Sequence, residues 1–190
     1  MDGLKLVVAP TVEPVTAAEA IAYCKATPDL EASLFELWIR GARQQVEEYL
    51  GRALLTQRWE LTLDAFPAEP LVLPRPPLVS VVSLTTYNPS NVSAVCSSAV
   101  YQVDTSREPG RVALVSGQSW PSDLRTYSGV VWRFEAGYGS TRDTVPAPIV
   151  ESVLALVAQR FSWRGDDLGG ERMPAAVVER LAPYRLWAVA

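Results

Sequence analysis

Three carboxylates sit in the glycine-rich stretch Gly165-Asp166-Asp167-Leu168-Gly169-Gly170-Glu171. Carboxylate oxygens are what hard cations bind, so calcium is the ion such a run would hold. Its acids lack the alternating ligand spacing of an EF-hand loop. The same glycines suit a solvated, mobile hinge centred on Gly165, Gly169 and Gly170, which is the plainer reading. An enzyme working through Asp166, Asp167 and Glu171 is the remote alternative. Histidine is absent from the chain, which removes the commonest general base and the commonest metal ligand together. A Walker loop, a G-x-G-x-x-G turn, H-E-x-x-H, G-x-S-x-G and paired zinc ligands are also missing. The residues therefore assign no catalytic group, no metal and no cofactor.

Other residues have chemistry suited to recognition. Trp120, in Ser119-Trp120-Pro121-Ser122, could join Tyr127 and Trp132 in a stacking platform for a sugar or peptide, although aromatics in a small β unit more often pack inside it. Arg40 and Arg43 could reach phosphates or a partner carboxylate. Glu36, Glu47 and Glu48 lie close enough along a helix to pair with them, which favours a solvated face. Pro74 and Pro77 enclose Arg75 in a P-x-x-P pattern, the form of a polyproline-II ligand. The β-branched run from Leu78 follows at once, so the prolines read better as the start of a strand. The tail Tyr184-Arg185-Leu186-Trp187-Ala188-Val189-Ala190 ends apolar and aromatic. Leu186, Trp187 and Val189 are expected either to fold back onto the body or to insert into another chain.

Composition narrows the classes. The chain has 190 residues, 48% hydrophobic and 20% charged, as expected of one large domain or of one core with an insertion. Net charge is −4, and acidic groups equal or outnumber basic ones in 1–60, 61–150 and 151–190. No segment has the basic excess that sequence-independent DNA binding needs. Cys24 and Cys96 are the only cysteines and read as two buried free thiols. The start MDGLKLVVAP lacks a signal-peptide core, and no apolar run reaches membrane-span length, so a cytoplasmic site of synthesis and no membrane partner are expected.

The elements that must position these residues are legible from period and punctuation. Thr16 and Glu19 form the pattern of a capping box, opening a short helix to about Lys25. A second helix, opened by Thr27-Pro28-Asp29 and ended by Gly51, would turn Leu34, Leu37, Trp38, Ala42, Val46, Tyr49 and Leu50 inward. Glu36, Arg40, Arg43, Gln44, Glu47 and Glu48 would then occupy its polar faces. From Thr56 the period changes to two, and Gln57–Leu63, Leu71–Leu73, Leu78–Tyr87, Val100–Val103, Arg111–Leu114 and Val130–Ala136 read as strands. After Pro146 a wide stripe of Ile149, Val150, Val153, Leu154, Leu156, Val157 and Phe161 predicts a central helix. Pro174 opens a last one, with Val177, Val178 and Leu181 inward. The fold class is α+β: a helical bundle from the N-terminal (1–55) and C-terminal (145–190) helices, with an inserted antiparallel β unit (56–144).

An ordered series of short motifs adds a resemblance. Glu13-Pro14-Val15-Thr16-Ala17-Ala18-Glu19-Ala20, Ala42-Arg43-Gln44-Gln45-Val46-Glu47-Glu48-Tyr49-Leu50-Gly51-Arg52-Ala53-Leu54 and Gln57-Arg58-Trp59 are followed by Phe66-Pro67 and Leu73-Pro74-Arg75-Pro76-Pro77-Leu78-Val79-Ser80-Val81. Tyr101-Gln102-Val103-Asp104, Ser119-Trp120-Pro121, Ala136-Gly137-Tyr138-Gly139 and Val145-Pro146-Ala147-Pro148-Ile149 complete it. Over nearly its whole length the chain resembles the tailed-phage head–tail connector (adaptor) proteins, in their larger form with a β insertion. The resemblance implies a structural ring, typically of twelve copies, in the virion neck of a phage, prophage remnant or gene transfer agent. Its partners would be the portal protein, a stopper or tail-side neck protein, and DNA that passes without specific binding. It also implies docking of the C-terminal segment into the portal, through Tyr184, Arg185, Leu186, Trp187 and Val189, with the Gly165–Gly170 segment ordering on docking. No catalytic residue, metal or cofactor belongs to the family pattern.

Overall fold

The computed structural model describes residues 3–27, 32–67, 70–163 and 172–186. They fall into two units, a β unit formed by Met1–Pro10 with Thr56–Tyr138 and a helical unit formed by Thr11–Leu55 with Gly139–Ala190. Helices and antiparallel sheets thus make a mixed α+β protein.

Period-two alternation builds the β unit. Its larger sheet has the order β1-β2-β8-β4-β5, with β1 (Leu4–Val8), β2 (Gln57–Leu63), β4 (Leu78–Tyr87), β5 (Ser93–Cys96) and β8 (Val130–Ala136). A three-stranded sheet runs β3 (Leu71–Val72), β7 (Arg111–Leu114), β6 (Tyr101–Asp104). All pairings are antiparallel. Directly opposed residues share a face, so the register Leu61↔Trp132↔Leu84 defines the inner side. Arg58↔Glu135 and Glu60↔Arg133 lie on the other side, where each pair is joined by a salt bridge, of 2.7 and 2.8 Å. Register shifts leave Val7 on β1 and Val79 and Val82 on β4 without opposite partners, and all three are exposed. Bulges of this kind bend a strand and increase its twist.

Two strands were not expected. Leu4–Val8, to which no element was assigned, is β1, and a Cβ at Gly3 would run into the Thr62 carbonyl, so glycine lets the chain close onto β2. Ser93–Cys96 is β5, short and largely exposed. The proline stretch is scaffold, as read. Arg75 has φ +61, far from the polyproline-II region, and its guanidinium lies 5.4 Å from the centroid of the Trp59 ring. Leu73 and Pro76 are buried.

The helical unit comprises α1 (Ala17–Cys24), α2 (Ala32–Leu50), α3 (Ala147–Ser162) and α4 (Ala175–Leu181). α2 packs on α1 and α3, and α4 packs on α3. The capping box is present: the Glu19 N–H donates to the Thr16 hydroxyl at 3.2 Å, and the Thr16 N–H to the Glu19 carboxylate at 2.8 Å. The Thr16 N–H and then the Thr16 hydroxyl, each donating to the Glu19 carboxylate at 2.8 Å, hold that carboxyl below its ordinary range, with the Arg142 charge adding to them.

The inner face of α2 differs from expectation. Phe35, Ile39, Ala42, Val46 and Leu50 are buried, whereas Leu34 and Leu37 are exposed and Trp38 and Tyr49 half-buried. Arg43 and Glu47, expected on a solvated face, are 3% and 7% exposed. Pro28 and Asp29, the expected start of this helix, lie outside the described residues. Ile149, Val153, Leu156 and Val157 form the buried stripe of α3, with Val150, Leu154 and Phe161 half-buried at its margins. Cys24 and Cys96 are free but half-buried rather than buried, and desolvation pushes both thiols up.

Candidate functional site

The C-terminal end of α2 is where the sequence-predicted tail residues meet a built structure. Gly51 takes φ +69 and ends the helix; the Gly51 N–H donates to the Glu48 carbonyl and the Arg52 N–H to the Glu47 carbonyl. This is the Schellman arrangement, in which a left-handed glycine satisfies the last free carbonyls. The Glu47 side chain then captures the chain beyond the turn, accepting the Leu54 N–H at 2.9 Å. Arg43 donates to Glu47 at 2.5 Å and to Glu13 at 2.7 Å. A single cation with two carboxylates therefore ties the end of α2 to the segment before α1, and Ala53, Leu54 and Leu55 are fully buried. Arg43 serves this internal network. It is not a free ligand for phosphate.

The described part of the tail docks onto this turn. Leu186 donates its N–H to the Leu50 carbonyl at 3.0 Å, and the Arg52 guanidinium donates to the Tyr184 carbonyl at 2.5 Å. Arg185 stands with its guanidinium carbon 4.8 Å from the centroid of the Tyr49 ring, in cation–π range. Both arginines also sit at the negative end of the α2 dipole. Leu186, with Tyr184 and Arg185 before it, thus contacts the end of α2 in the same chain. Trp187 and Val189 lie outside the described residues, as do Gly165, Gly169, Gly170, Asp166, Asp167 and Glu171. Arg52, which makes the key contact, was given no role in the sequence. The signal was available only in part: an arginine directly after a helix-ending glycine is suited to bind a carbonyl, but its partner is 132 residues away.

The aromatic candidates of the β unit do not form an open platform. Phe66 and Trp120 stack with centroids 4.4 Å apart and planes 4° from parallel. Trp132, fully buried, meets Tyr101 edge-on at 5.3 Å and Trp120 at 6.0 Å. The Trp120 face is thus occupied by the protein's own Phe66. Tyr127 is 75% exposed and makes no ring contact among the described residues. Among the described residues no group of three His, Cys, Asp or Glu is placed to hold a metal, and no helix is long and apolar enough to cross a membrane.

Similarity to known proteins is one of fold. No protein-family model matches the chain, and no curated protein matches it in sequence. The structure superposes on a chain from the virion of the native gene transfer agent (GTA) particle with TM-score 0.81 and 22% identity, covering 98% of this chain and 97% of that one. A chain from the neck of the empty GTA particle, computed with C6 symmetry, gives TM-score 0.80 at 22% identity over the same shares. A chain from the neck of the native GTA particle, computed with C12 symmetry, gives 0.74 at 24% identity, again over 98% and 97%. The likeness extends over nearly the full length of both partners.

Proposed function

We propose that the protein is a non-enzymatic head–tail connector (adaptor) subunit, one copy of a ring in the virion neck of a phage or phage-like particle. The observation that carries this reading is the match of 98% of the chain to neck and virion chains of the GTA particle. The C6 and C12 symmetries of those necks support a closed ring, and twelve copies is the number we propose. A cyclic ring needs two different surfaces on each subunit that fit one another after rotation.

In this reading the ring lies between the portal and a stopper or tail-side neck protein and lines the channel through which DNA leaves. A net charge of −4 suits a wall that DNA passes without adhering to it, because stable binding to the phosphate backbone requires a basic excess. The tail is the portal-docking element. Tyr184, Arg185 and Leu186 are its fixed root on α2, and Trp187 and Val189 are the residues that enter the portal. The Gly165–Gly170 segment is the hinge that adjusts on docking.

The test is microscopy of negatively stained protein mixed with its portal, together with a variant lacking residues 187–190. The expected result is a ring seated on the portal, unchanged circular dichroism for the truncation, and portal affinity weakened by roughly ten-fold or more, since a docked Trp is a frequent hot spot. Absence of any ring or portal complex overturns the reading. A truncation that binds as well as the full chain overturns the role of the tail.

A further inference from the structure

Charge is missing from one long stretch of the β unit. From Pro76 to Val103 there is no Asp, Glu, Lys or Arg, and this stretch contains β4, the turn after it and β5. An edge strand is normally protected by a charge, a proline or a covering element, because its open row of backbone groups invites other strands. β5 carries no charge or proline, and Ser93, Ala94 and Val95 are exposed, Val95 at 74%. The Asn88 N–H donates to the Val92 carbonyl, which sets the alternation along β5. Ala94 therefore turns its backbone groups toward β4, while Ser93 and Val95 turn theirs to the open side.

The opposite edge of the same sheet is β1. The Thr62 N–H donates to the Gly3 carbonyl, so Lys5 bonds inward to β2, and the backbone groups of Leu4 and Leu6 point outward. Beside β1 lies an open groove of about 690 Å³ whose walls include Leu4, Lys5, Leu71 and Val72.

We infer that the occupant of each edge is a second copy of this chain, with β5 of one subunit pairing with β1 of the next. The inference rests on the ring reading above and specifies its contact. Opposite edges of one sheet are two different surfaces on one chain, as a heterologous ring contact requires. Each step in β1-β2-β8-β4-β5 is antiparallel, so β1 and β5 run in the same direction. With this shared polarity, a neighbour that the ring rotation brings with its β1 alongside β5 forms a parallel pair. Lys5 is the only charged residue on either strand, so no like charges are brought together.

Hydrogen exchange measured by mass spectrometry on the wild-type protein, as monomer and as ring, tests the pairing. Assembly is expected to slow exchange at Leu4, Leu6, Ser93 and Val95 by roughly ten-fold or more. Val95→Pro removes an outward N–H without touching the β4 ladder, and Val95→Lys adds the missing edge charge. Both are expected to keep the monomer's circular dichroism and to abolish rings in mass photometry. Should either variant misfold, the wild-type exchange data decide alone. Rings formed by folded variants, or edge amides that exchange alike in monomer and ring, overturn the pairing and leave the ring reading standing. A wild-type chain that forms no ring at any concentration, alone or with portal, overturns both.

Discussion

The core of the helical unit and the larger sheet of the β unit use charge in different ways. In the helical unit Arg43 and Glu47 are within the core, linked to each other and, through Arg43, to Glu13. On the larger sheet of the β unit the Arg58–Glu135 and Arg133–Glu60 pairs lie on the outer side, with the arginine side chains 40% and 52% exposed, while aromatic rings fill the interior. The difference is energetic as well as spatial. A buried charge whose partner is removed cannot recover water, whereas an exposed one exchanges its partner for solvent. The helical unit should therefore be sensitive to charge deletion and the β unit to loss of ring volume.

The largest effect is expected at Glu47. Glu47→Ala strands Arg43 beside a single remaining carboxylate, Glu13, and leaves the Leu54 N–H without its acceptor. Urea denaturation followed by far-UV circular dichroism should register a loss of about 3–5 kcal/mol. Glu47→Gln keeps an acceptor for Leu54 but removes the charge, and should fall between Ala and wild type. A loss below about 1 kcal/mol for Glu47→Ala would break the contrast, because that is the range of surface pairs. Trp132→Ala is the matching experiment in the β unit. Its ring contacts Phe66, Tyr101 and Trp120, and the cavity should cost about 3–5 kcal/mol by the same measurement.

These contrasts were only partly legible in the sequence. The strands of the β unit that carry strong alternation, such as Gln57–Leu63 and Val130–Ala136, were read correctly because half-burial imprints a period of two. β1 and β5 were missed for different reasons. Five residues at a chain end show little period, and β1 pairs with a strand more than fifty positions later. β5 is exposed on nearly every residue, so no burial pattern is imprinted on it. The inner face of α2 is legible at Ala42, Val46 and Leu50 but not in its first turns, where two apolar stripes both satisfy helical spacing: Leu34 and Leu37, which are exposed, and Phe35 and Ile39, which are buried. Arg43 and Glu47 resemble a surface i,i+4 pair, and only the contact with Glu13, thirty positions away, makes the pair internal. Tyr184, Arg185 and Leu186 stand out in the sequence as tail residues, yet their contacts with Leu50 and Arg52 are set by tertiary packing, and the position of Arg52 after Gly51 is only a partial local signal.

A smaller effect tests local helix chemistry with little burial involved. Thr16→Ala removes the side-chain half of the α1 capping box and should cost about 1 kcal/mol. The same box makes stability depend on pH. The Glu19 carboxyl is held below its ordinary range, so its contribution is complete above that range and is lost as pH falls through the lowered folded value. Acid titration of the melting temperature should therefore be shallower in Thr16→Ala than in wild type. Equal slopes would show that the Thr16 hydroxyl does not contribute to the Glu19 shift, leaving it to the backbone N–H of residue 16 and to Arg142.

The smallest effect is expected on the outer face of the sheet. Arg133 donates to Glu60 at 2.8 Å, directly across the β2–β8 ladder, but its side chain is 52% exposed. Arg133→Ala should change stability by less than about 1 kcal/mol in low salt, and by still less once salt screens the pair. The value of this variant lies in its comparison with Glu47→Ala. Both delete one side of an ion pair shorter than 3 Å, so geometry alone predicts equal costs. Burial predicts a several-fold difference. If Arg133→Ala and Glu47→Ala destabilise alike, solvent access is not what separates the two units, and the outer face of the sheet is then a structural surface as demanding as the helical core.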